Sequence, residues 1–122
     1  MKDGRRRLGA FGERLAAAHL EAKGYRILAR NYRCREGEID VVAQDGETLV
    51  FVEVRTRRGD AMGGPAESVT AVKQSRLVTA ATAYVQALAG PPPDQRIDVV
   101  AVQLSPGGRL LSVEHIEGAV LE

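Results

Sequence analysis

The sequence has no tryptophan, only two phenylalanines and three tyrosines, and a single cysteine in 122 residues. One cysteine, Cys34, cannot close an internal disulfide or supply a structural zinc cage, so no such cross-link holds the fold. So few aromatics argue against single-strand recognition by rows of base-stacking rings. The longest apolar run falls far short of the ~20 residues that a membrane helix needs. Met1 to Arg7 is basic, but no apolar stretch of signal-peptide kind follows it. There is no Walker loop, and no Gly-x-Gly-x-x-Gly follows a strand, which excludes the commonest nucleotide-binding designs. His19 and His115 lack the spacing of a zinc site, and each reads as a surface or edge residue. These absences predict a cytoplasmic protein with no membrane partner.

What is present suits a globular domain. Apolar residues make up 44% and charged residues 27%, ordinary values for a packed domain. The length suits one core: residues 9–122 read as a single domain and residues 1–8 as a flexible basic segment. The net charge of +1 hides an asymmetry. Residues 1–35 carry ten Lys/Arg against three Asp/Glu, and residues 36–122 carry seven against thirteen. A basic end beside an acidic remainder suits a polyanion-binding edge next to a cation site, or a plain mixed surface.

Periodicity predicts the order αβββαββ, a mixed sheet with helices packed on it. The first helix covers residues 9–23, with Phe11, Leu15, Ala18 and Ala22 on one face and Gly24 as its cap. Strands follow at residues 25–31, 38–44 and 48–55, the last two joined around Asp45-Gly46-Glu47, a strong hairpin signal. Gly63, Gly64 and Pro65 mark a loop. A second helix is expected from about Ser68 to Ala89, capped by Ser68 or Thr70. Val69, Val72, Leu77, Ala80, Tyr84 and Leu88 form its buried stripe. Strands at residues 96–104 and 110–115 complete the chain.

The hairpin carries the chemistry. Alternation places Ile39, Val41 and Ala43 on one face, matching Val50, Val52 and Val54. The other face holds Glu38, Asp40 and Val42 beside Leu49, Phe51, Glu53 and Arg55. A loop at Asp45-Gly46 sets Asp40 diagonal to Glu53, and a loop at Gly46-Glu47 sets them directly opposite. Like charges so placed repel, and a divalent cation would compensate them. The plainer alternative is a solvated pair neutralised by Arg55 and Arg57. Glu13 ends a second apolar stripe with Ala16, Ala17 and Leu20. It points to the sheet in one reading and serves the helix dipole in the other.

An acidic helix residue, Gly37-Glu38-Ile39-Asp40 and Glu53-Val54-Arg55 resemble the P-D…(D/E)-x-K nuclease pattern. Together with Gly12-Glu13, Gly24-Tyr25-Arg26-Ile27-Leu28, Arg30-Asn31-Tyr32-Arg33, Val50-Phe51-Val52 and Arg96-Ile97-Asp98-Val99-Val100-Ala101-Val102, they resemble the YraN family. The resemblance covers nearly the whole chain. It implies a restriction-endonuclease-like mixed β-sheet flanked by helices, and a kinship with Holliday-junction resolvases. It implies a Mg²⁺- or Mn²⁺-dependent endonuclease acting on nucleic acid, most naturally DNA and branched DNA, and a homodimer. Asp40 and Glu53 would be the metal ligands, with the Val54 carbonyl and Glu13 beside them. Arg55 stands where the motif has lysine, and Lys73 with Gln74 matches a lysine on the second helix. Arg30, Arg33, Arg35 and Arg57, with Lys73 and Gln74, would contact the nucleic acid. An arginine cannot act as a base, so the alternative is a nucleic-acid-binding module of the same fold with weak or no catalysis.

Overall fold

The computed structural model describes residues 2–59 and 71–119, and side chains outside residues 2–7 and Ala71. The expected glycine loop, the caps Ser68 and Thr70, Val69, and the side chains of Arg5, Arg6 and Arg7 lie outside the described residues. The elements are α1 (Lys2–Ala22), β1 (Arg26–Cys34), β2 (Gly37–Asp45), β3 (Thr48–Arg58), α2 (Ala71–Gln86), β4 (Gln95–Leu104) and β5 (Leu110–Ile116). The αβββαββ order is as expected, although the backbone of α1 is already helical at Lys2. The strands form one sheet in chain order, β1-β2-β3-β4-β5. All neighbours are antiparallel except β3 and β4, which run parallel across the α2 crossover.

The two helices belong to opposite apolar clusters. On one side Ala16 and Leu20 of α1 pack with Val41, Ala43, Val50, Val52, Val100 and Val102. On the other, Leu77, Ala80 and Ala81 of α2 pack with Val42, Leu49, Phe51 and Ile97. Strands covered on both faces read as near-continuous apolar runs, which is why Leu49-Val50-Phe51-Val52 is wholly buried.

The face of α1 differs from the expected one. Ala18 and Ala22 are exposed, and the second stripe, Ala16, Ala17 and Leu20, is the buried face, with Phe11 and Leu15 at its margin. Gly12 decides this choice: a Cβ there would collide with the Thr56 side chain of β3. Only glycine lets the helix and strand approach so closely. On α2, Val72 is 62% exposed and Leu88 41% exposed, so neither belongs to the stripe that Leu77, Ala80 and Tyr84 form. Leu88 falls beyond the last helical turn, where the helical period no longer applies.

The hairpin register selects the second alternative. Asp45 pairs with Thr48, so Gly46 and Glu47 form the two-residue loop, with Gly46 at φ 60°. A glycine at the first loop position with positive φ suits a primed hairpin turn. Strand alternation then slips. Val41 packs on the α1 side, but Ile39 joins Val42 on the α2 side, so the expected Ile39–Val41–Ala43 face does not hold. Pairing of β2 with β3 runs from Asp45 to Val41 and stops there. Opposite the slip, Asn31 of β1 takes a left-handed conformation, φ 53°. Asn tolerates that region better than other non-glycine residues. Asp40 thus sits where regular pairing ends.

Candidate functional site

Asp40 and Glu53 come together where β2 leaves β3. They line one cleft of about 550 Å³ with Lys73, Arg76 and Leu77 of α2 and Arg33, Cys34, Gly37 and Glu38 of the β1–β2 end. Asp40 Oδ2 accepts a hydrogen bond from the Val54 N–H at 2.8 Å, so a side chain replaces the backbone acceptor that β2 no longer offers there. Burial, then the neighbouring Glu53 charge, pushes the Asp40 carboxyl up to about 8. Burial also raises the Glu53 carboxyl, while Arg55 and then Lys73 pull it back. Arg55 Nη1 lies 3.6 Å from Glu53 Oε1, with both side chains about four-fifths buried (20% and 19% exposed).

Glu13 occupies a second cleft, of about 440 Å³, with Gly9, Ala10 and Asn31. Arg33 and Glu38 line both clefts, and their ion pair, 3.7 Å, stands between them. Burial raises the Glu13 carboxyl, and a hydrogen bond with the Asn31 side chain lowers it. The Glu13 charge reaches Asp40 and raises it, but the helix does not carry Glu13 into the Asp40–Glu53 cleft. Among the described residues no three His, Cys, Asp or Glu side chains are grouped closely enough to hold a metal on their own.

The other expected residues scatter. Arg30 and Arg35 are exposed on β1 and its following turn, outside both sets of lining residues. Arg57 is half-buried near the end of β3, in register with Gln103 of β4. Gln74 is half-buried beside Lys73 on α2. Cys34 is half-buried, and its Sγ donates to the Gly37 carbonyl at 3.4 Å.

A second polar centre escaped the sequence reading. Asp98 is fully buried among Val99 and Val100 of β4. Its carboxylate accepts from Arg96 Nε at 2.9 Å, Arg96 Nη2 at 3.1 Å and the Gly118 N–H at 2.9 Å. His115 Nε2 lies 2.7 Å from Asp98 Oδ2, and His115 Nδ1 lies 2.7 Å from Lys23 Nζ. Lysine can only donate, so the Nδ1 accepts and the Nε2–H donates to Asp98. Arg96 Nη2 also donates to the Tyr25 hydroxyl at 2.7 Å. His115 lies on β5, an edge strand of the sheet, as one of its two expected readings had it, but its side chain is only 2% exposed, so it is not a surface residue. The available signal was a carboxylate at the same alternation as Val100 and Val102, with an arginine two positions earlier on the same face.

The fold and this cleft define a small α/β domain of restriction-endonuclease-like arrangement: a mixed five-stranded sheet, a helix on each face, and a carboxylate pair where the hairpin opens. Residues 12–102 match the model of uncharacterised protein family UPF0102, and the chain belongs to that family, which is the YraN family. It is 57% identical over 105 residues to a UPF0102 protein of Symbiobacterium thermophilum, covering 86% of this chain and 89% of the relative. A UPF0102 protein of Chlorobaculum tepidum is 50% identical over 118 residues, with 93% and 92% covered. One from Herpetosiphon aurantiacus is 47% identical over 126 aligned positions, with both chains covered in full. Among the described residues no helix is long and apolar enough to cross a membrane.

Proposed function

We propose that this protein is a metal-dependent phosphodiester hydrolase acting on nucleic acid, DNA in the first instance. The observation that carries the reading is the Asp40–Glu53 pair in a cleft also lined by Lys73. Two partly desolvated carboxylates side by side suit a hard divalent cation, with water and phosphate oxygens filling the remaining positions. Asp40 and Glu53 would hold Mg²⁺ or Mn²⁺. When bound, such an ion supplies a water of lowered pKa and counter-charge for the phosphoryl oxygens.

The chain's own groups do the rest. The Val54 N–H fixes one Asp40 oxygen and so orients the carboxylate. Arg55 holds Glu53 toward its charged form. Lys73 reaches the cleft from α2 and offers a cation to the phosphate, the task that the motif's lysine would have had. Glu13 acts on the site through its charge on Asp40.

A second reading has one observation in its favour. Arg55 stands at the motif's lysine position and faces Glu53, so its charge is already engaged there. A nucleic-acid-binding module of this fold with weak or no turnover would look the same.

The test is cleavage of labelled single-stranded, duplex, flap and four-way-junction DNA with Mn²⁺ or Mg²⁺. Cleavage is expected to vanish with EDTA and in Asp40→Ala. Binding without cleavage selects the second reading. A folded protein that neither binds nor cleaves removes both.

A further inference from the structure

We infer that Arg76 binds the phosphate next to the one lying over Asp40 and Glu53; the inference rests on the nucleic-acid reading above. Each of the other cations of the Asp40–Glu53 centre is already drawn to a carboxylate. Arg33 pairs with Glu38, Arg55 pairs with Glu53, and Lys73 acts on Glu53 through its charge. Arg76 lines the same cleft and is exposed, yet among the described residues it pairs with no carboxylate. Arg76 shares the lining of this opening with Glu38, Asp40 and Glu53, and none of these three carboxylates forms an ion pair with it. A charge left in that state serves an incoming anion.

Spacing names the anion. Lys73 and Arg76 are three apart on α2, so they are neighbours on one helix face, about 5–6 Å between Cβ atoms. That separation spans one to two nucleotides of a strand, at ~3.4 Å of rise each. Lys73 and Arg76 therefore suit consecutive phosphates of one strand rather than a single small anion. The planar fork of arginine suits two-point binding of a backbone phosphate.

The position is built into the packing. A side chain on Gly37 would come within 3.2 Å of the Arg76 carbonyl oxygen, so α2 rests on the start of β2 at this residue. The first residues of β2 thus fix where Arg76 leaves the helix, and Asp40 follows three residues later on the same strand. Arg76 sets the register in which a strand enters.

The test is binding of a fluorescein-labelled DNA single strand and its matching duplex to the full chain, in EDTA, across a salt series. Arg76→Ala is expected to weaken binding about tenfold. It should also flatten the slope of log K against log salt by ~0.7 for the single strand, the signature of one lost phosphate contact. Arg76→Lys is expected to restore the slope. Arg76→Gln, which keeps the stem and its packing, should behave as the alanine variant does. Arg109→Ala, an exposed arginine in the β4–β5 turn, is the control for loss of charge alone. Equal losses in Arg109→Ala overturn the inference. So does an Arg76→Ala variant that binds as wild type does, which leaves the nucleic-acid reading intact. A wild-type protein that binds neither probe overturns both.

Discussion

Asp40 is a carboxyl that the fold makes harder to ionise, and the sign of that effect can be tested. Its folded value, about 8, lies above the ordinary 3.8. The folded state therefore holds the proton where the unfolded chain has lost it. That contribution is fully present below the unfolded value and is lost as pH rises through the folded one. In EDTA, Asp40→Asn is expected to melt several degrees above wild type at alkaline pH, a gain of about 1–3 kcal/mol, and to converge with it near pH 4. Thermal melts across that range read it directly; a variant less stable at every pH would refute the assignment. Arg55 works in the opposite direction on Glu53. Arg55→Met should raise the Glu53 carboxyl and move the pH midpoint of Mn²⁺ binding upward, since ligands must shed protons to bind metal. Asp98 carries a different expectation. Asp98→Ala strips Arg96 and His115 of their shared acceptor, and should cost about 3 kcal/mol or more in urea unfolding.

At the scale of elements, α1 and the hairpin teach different lessons. The hairpin was legible because its turn glycine leaves only two registers, and both bring Asp40 and Glu53 within cross-strand reach. The face of α1 was not legible. An alanine-rich helix offers two overlapping apolar stripes, and the choice between them rests on Gly12 meeting Thr56, a contact between residues 44 positions apart in the chain. This yields a prediction of unusual sign. On an exposed helix, Gly→Ala gains up to ~1 kcal/mol. Here Gly12→Ala should instead cost about 1–3 kcal/mol, because α1 must lift from β3. The displaced helix carries Glu13 with it, so the variant's pH profile should shift as well. The slip in β2 between Ile39 and Val41 was also out of reach, because the two-residue period on which the face assignment relied gives no sign of where alternation breaks. The Asp98 centre gathers Lys23, Tyr25, His115 and Gly118 from three other parts of the chain, and no local spacing announces that.

For the whole molecule, the two polar centres divide the work. The Asp98 centre ties the end of α1, β4 and the residues after β5 into one unit through fully engaged hydrogen bonds. The Asp40 centre keeps like charges together, and a cation would relieve them. Saturating Mn²⁺ at 100 times its Kd is therefore expected to raise the unfolding free energy by about 2.7 kcal/mol at alkaline pH. The gain should be smaller near pH 5 and largely absent in Asp40→Asn with Glu53→Gln, as calorimetry can show.

The parallel pairing of β3 with β4 has a consequence in time as well as in space. Asp40 and Glu53 lie on a hairpin whose loop has two residues, and such units close in ~1–10 μs. Lys73 and Arg76 ride on the crossover that separates β3 from β4, and long-range pairing of that kind comes late. During synthesis both acids leave the ribosome before either of these helix cations. The nascent hairpin therefore carries its repulsion with only Arg55 of β3 to offset it until α2 docks, and divalent ions or mild acid in a refolding buffer act on that early species before the finished site exists.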